Sequence, residues 1–157
     1  MTDPKRLYEE DFVLWSQQQA AALRAAGQGA TNQPLDWDNL AEEIEDLGKS
    51  TRRELRSRLL VILEHLLKLE YSPAVDPRAG WRETIGRERS SIEDLLGDSP
   101  SLRGELADMI AKTGSRAVRL AAHSLSGYGE AAAKLLPPDY SVEQVLGDWF
   151  PEEPPRE

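Results

Sequence analysis

Cysteine is absent from this 157-residue chain, which excludes a disulfide framework, a thiolate metal site and a thiol nucleophile. Histidine is scarce, occurring only at His65 and His123, so a three-histidine metal site is impossible. A di-iron bundle needs two Glu-x-x-His motifs, yet the residues three before the histidines are Ile62 and Leu120. Long apolar runs are missing too. The longest aliphatic run, Leu59 to Leu63, falls far short of the ~20 residues that span a bilayer. The opening stretch from Met1 to Phe12 carries charges where a signal peptide needs an apolar core. The expectation is a cytoplasmic protein with no membrane partner. No stretch shows sustained polar–apolar alternation and the glycines are scattered, which argues against strands, phosphate loops and dinucleotide folds.

What is present reads as helix. Asp3-Pro4 is a start signal, and Tyr8, Phe12, Trp15 and Leu23 recur at near-helical spacing until Gly27. The first helix is therefore expected over 4–26, followed by a loop from Gln28 to Leu35. Asp36 caps a second element, with apolar positions at Trp37, Leu40, Ile44, Leu47, Thr51, Leu55, Leu59, Ile62, Leu66 and Leu69. These steps of three and four never lose helical phase. A continuous helix over 37–71 would be about 52 Å long at 1.5 Å per residue. Gly48 as a C-cap, followed by Thr51 and Glu54 in a capping-box pattern, offers the alternative of a break and restart. A third helix is expected from Asp76-Pro77 to Gly97 and a fourth from Ser99-Pro100 to about Ser126, with Gly104 and Gly114 marking close contacts or a bend. Short helical pieces follow at Glu130–Leu136 and after Ser141, where Gln144 completes a capping box. The fold class predicted is all-α, an antiparallel up-and-down bundle of four longer helices plus short C-terminal helices. It forms a single domain over residues 1–150, with a frayed tail over 151–157.

Several ordered blocks of this chain resemble the bacterial domain-of-unknown-function family DUF29. They are Leu35-Asp-Trp-Asp-Asn-Leu-Ala-Glu-Glu-Ile-Glu-Asp-Leu-Gly-Lys-Ser50, His65-Leu-Leu-Lys68, Trp81-Arg-Glu-Thr-Ile85 and Asp98-Ser-Pro-Ser-Leu102. The likeness runs from about Leu7 to Phe150. It implies a helical bundle and a bacterial source, and brings no activity, ligand or catalytic residue with it. The chain departs from the family pattern at His123 and Ser124, where an acidic residue and a threonine are common, and at Pro138-Asp139, where a Cys-Pro pair often precedes the tyrosine position.

Candidate sites follow from charge and aromatic placement. The formal net charge is −9, which repels phosphate backbones, so a nucleic-acid partner is not expected. Glu42, Glu43, Glu45 and Asp46 are followed by Lys49, Arg52, Arg53, Arg56 and Arg58, an acidic block and then a basic one on a single predicted helix. Such a division is self-complementary in an antiparallel pair. The main functional reading is a non-enzymatic bundle that binds a protein partner or associates with itself. The alternative is a small-molecule or metal-dependent enzyme with a polar pocket lined by Glu43, His65, Lys68, Trp81 and Arg89. No catalytic residue, metal site or cofactor is assigned. For His65 the simpler role is a flanking residue donating to a carboxylate or backbone carbonyl, and the four tryptophans are simplest as packing anchors.

Overall fold

The computed structural model describes residues 3–29, 32–127, 135 and 138–154. Among these residues there are six α-helices, one 3-10 helix and no strand: α1 (Pro4–Glu10), α2 (Phe12–Gly27), α3 (Trp37–Tyr71), α4 (Arg78–Asp98), the 3-10 turn Pro100–Glu105, α5 (Leu106–Ser126) and α6 (Val142–Leu146). The fold is thus all-α and of the helical-bundle kind. The piece expected at Glu130–Leu136 lies outside the described residues, apart from Leu135. The chain forms two compact units, one from residues 1–54 with 94–104 and the other from 55–93 with 105–157.

In the first unit, the single helix expected over 4–26 is two helices. Asp11 adopts an extended conformation, φ −155° and ψ 93°, ending α1 and capping α2. Its carboxylate accepts from the Leu14 amide at 2.9 Å, from the Ser101 amide at 2.7 Å and from the Ser101 hydroxyl at 2.9 Å. These bonds offset the helical bonds lost at the break. Beside it the Val13 amide, an orphan of the first turn, donates to the buried Ser99 hydroxyl at 3.2 Å.

α3 is continuous through Gly48. Thr51 starts no new helix, because its hydroxyl donates to the Leu47 carbonyl 3.2 Å away, a back-bond within the same helix. Gly48 is buried against α2, where an added Cβ would overlap the Ser16 hydroxyl. The glycine therefore serves close helix contact. Ser16 and Ala20 on α2, with Ala41 and Gly48 on α3, are all small and all buried, and small side chains let two backbones approach. That contact leaves Leu40 and Leu47, at 41% and 48% exposure, outside it.

The second unit holds most of the large apolar side chains. Leu55, Leu59, Ile62, Leu63, Leu66, Leu67 and Leu69 of α3 are buried, as are Trp81, Ile85 and Ile92 of α4. From α5 come Leu106, Met109, Ile110, Ala117, Ala121 and Leu125, while Leu120, expected on this stripe, is 37% exposed. Gly114 faces Pro138, whose Cδ would lie 3.4 Å from an added Cβ, an ordinary contact distance. α6 carries the expected capping box, with Ser141 and Gln144 bonded reciprocally at 2.9 and 3.1 Å. Of the C-terminal tail, residues 151–154 are described: Pro151 is buried and Glu153 lies 3.5 Å from Arg78 Nε.

Candidate functional site

The helical phase of α3 puts Lys68 four residues after Glu64 and three after His65. Lys68 is buried, and its Nζ lies 3.6 Å from a Glu64 carboxylate oxygen, 3.4 Å from Ser124 Oγ on α5 and 5.2 Å from the centre of the Trp81 ring on α4. Burial pushes its pKa below the usual lysine value, against the opposing pull of Glu64. The ammonium is thus held by one carboxylate, one hydroxyl and one aromatic face, three groups that together replace its hydration.

His65 donates from Nδ1 to the Val61 carbonyl at 2.7 Å, the role expected of a flanking histidine. Burial, and then the nearby Lys68 charge, hold its pKa below 6.5. The unfolded chain therefore takes up a proton here before the folded one does. The His65 contribution to stability is complete above pH 6.5 and is lost as the pH falls through the lower folded value. Urea melts between pH 7.5 and 5 are expected to show a shallower acid loss for His65→Gln than for the unaltered chain. Parallel pH profiles would contradict this account.

Arg89 is committed to backbone. Its guanidinium donates to the carbonyls of Gln144 and Val145 at 2.9 Å and of Trp149 at 2.7 Å, and lies 4.9 Å from the Phe150 ring centre. α6 ends at Leu146, where Gly147 turns extended, and the Gln144 and Val145 carbonyls of its last turn are satisfied by this side chain from α4. Arg78 does the same for α3, donating to the Leu69 and Ser72 carbonyls at 2.6 and 2.9 Å. Tyr140 donates to the Glu70 carboxylate and packs 5.6 Å from Trp149, and burial with the Glu70 charge raises its pKa.

Of the five residues expected to line a pocket, the structure brings Lys68 and Trp81 into contact and places His65 one turn before Lys68. Arg89 serves the α6 cap. Glu43 belongs to the first unit and is exposed. Glu64 and Glu70 were not singled out from sequence, and Ser124 and Tyr140 drew notice only where the chain departs from the family pattern. The Glu64–Lys68 spacing was a visible signal, whereas Ser124 lies 56 residues from Lys68 and carries no local signature. Among the described residues, no group of three or more His, Cys, Asp or Glu is placed to hold a metal ion, and no helix is long and apolar enough to cross a membrane.

These features define an all-α protein of the helical-bundle class, in which polar side chains of α3 and α4 are tied to backbone carbonyls and ion pairs. The family described as a domain of unknown function, DUF29, matches residues 7–150, and the chain belongs to it. It is also similar to an alpha-helical protein of unknown function from Rhodospirillum rubrum, with 29% sequence identity and a TM-score of 0.76 over 90% of this chain and 89% of that one. No curated protein matches the chain.

Proposed function

We propose that the protein is a non-enzymatic interaction module that pairs with a second copy of itself through the first half of α3. The observation that carries this reading is the exposure of Leu40 and Leu47. Seven residues apart, they share one helical stripe. Exposed Glu42 and Glu43, followed by half-buried Glu45 and Asp46, precede exposed Lys49 and Arg53. An antiparallel crossing near Leu47 brings the two Leu47 side chains together and sets Glu43 of each copy towards Arg53 of the other. The polar side chains that an enzymatic reading would use, Arg89 and His65, are spent on backbone carbonyls, which favours binding over chemistry. The source of the similar structure supports a bacterial setting.

Sedimentation velocity tests the pairing. A dimer is expected at low salt, weakened by added salt because exposed charges are screened, and abolished by Leu47→Glu. Arg53→Glu is expected to weaken it, and Glu43→Arg in the same chain to restore part of the loss. A monomer at high protein concentration and low salt would remove the proposal.

A further inference from the structure

The first unit contains a groove of about 340 Å³. Its walls are Tyr8, Phe12 and Leu95 together with the carboxylates of Glu9, Glu54 and Asp98. The aromatic wall is built in advance. Tyr8 is 54% exposed, yet its ring is held edge-on to Trp15 at 4.9 Å and to Phe12 at 6.1 Å, and Phe12 stacks on Trp15 at 5.9 Å. The extended Asp11 at the α1–α2 break sets this arrangement, since it lets Tyr8 and Phe12 come from two separate helices. A solvated aromatic ring that is already fixed costs little further ordering entropy on binding, which is the character of an interface anchor.

The carboxylates come from three different elements: Glu9 from α1, Glu54 from α3 and Asp98 from the end of α4. Carboxylates from three elements around one groove make its rim complementary in charge to a cation. A π face beside carboxylates selects a cation with apolar faces, and a planar guanidinium meets both demands by stacking on rings and pairing with oxygens. The volume lies at the low end for ligand pockets, about 300–1,000 Å³, which suits one long side chain with its flanking backbone rather than a folded surface.

We propose that this groove docks a basic segment of a partner protein, with one arginine lying over Tyr8 and Phe12 and pairing with Glu9 and Asp98. The proposal rests on the reading of the protein as an interaction module, though not on the α3 pairing. The net charge of −9 steers such a segment towards the chain from a distance.

The test uses the full chain and a five-residue acetylated peptide with arginine at alternate positions, titrated by calorimetry at low salt. The same peptide with citrulline in place of arginine keeps the shape and removes the charge. Tyr8→Leu and Asp98→Asn are each expected to weaken arginine-peptide binding roughly 3- to 10-fold. Glu143→Gln, an exposed carboxylate on α6, should leave it unchanged. Absence of binding, equal binding of the citrulline peptide, or an equal loss with Glu143→Gln overturns the proposal. Sedimentation of the same samples separates the two readings. Peptide binding by a chain that stays monomeric removes only the α3 pairing. If Tyr8→Leu and Asp98→Asn instead break a dimer, the occupant is a second copy and the partner segment is overturned.

Discussion

Gly48→Ala is expected to lower the melting temperature, although alanine is the better helix former by about 1 kcal/mol. The new methyl would overlap the Ser16 hydroxyl, which donates to the Val13 carbonyl at 2.7 Å and is fully buried. Overpacking of this kind costs about 1–3 kcal/mol, enough to outweigh the propensity gain. The net loss, up to about 2 kcal/mol, corresponds to a drop of up to about 8 °C in a chain of this size. The sign reverses in a Ser16→Ala background. With the hydroxyl gone, the nearest atoms to the new methyl are Ser16 Cβ and Val13 Cγ1, both at 3.7 Å, an ordinary contact distance. There Gly48→Ala should be neutral or stabilising. Thermal melts of the four chains of this cycle test the account, and additivity of the two substitutions would contradict it.

Asp11→Ala is expected to destabilise more. One buried carboxylate serves three donors, the Leu14 amide and both the amide and hydroxyl of Ser101, and alanine leaves all three without it. Loss of a helix cap together with charge-assisted bonds amounts to about 3 kcal/mol, or about 6–12 °C. Asp11→Asn keeps one acceptor oxygen and should lose less. Amide exchange gives the second readout, because the Leu14 and Ser101 amides should both exchange faster in Asp11→Ala. Unchanged protection at Ser101 would show that the bond holds no weight.

Several local signals were read correctly where the partner lay within a turn, though the Thr51–Glu54 pattern starts no helix. The Asp3 and Asp36 starts, the Ser141–Gln144 capping box and the unbroken phase of α3 are all present in the structure, because each depends on residues two to four apart. The break at Asp11 was missed for the opposite reason. Its carboxylate is drawn out by Ser101, 90 positions away, while the helical spacing of Tyr8, Phe12 and Trp15 runs through it without interruption. Gly48 was ambiguous because a glycine in a helix reads equally as a stop or as a place for close approach. Only α2, with Ser16 facing it, makes the choice. Arg89 had the composition of a pocket residue, and three carbonyls from 55 to 60 residues further along turn it into a cap.

By itself the sequence determined that this chain is all-helical, that it has no cysteine chemistry and where most helices begin, since these depend on composition and on spacing within a few residues. The tertiary structure alone decided which face of each helix is buried and which polar groups are spent. Leu40 and Leu47 carry the same apolar character as the buried leucines further along α3, yet they lie exposed because α2 packs against Ala41 and Gly48 instead. Periodicity places a stripe on a helix, but the shape of the neighbouring helix selects the side that water leaves.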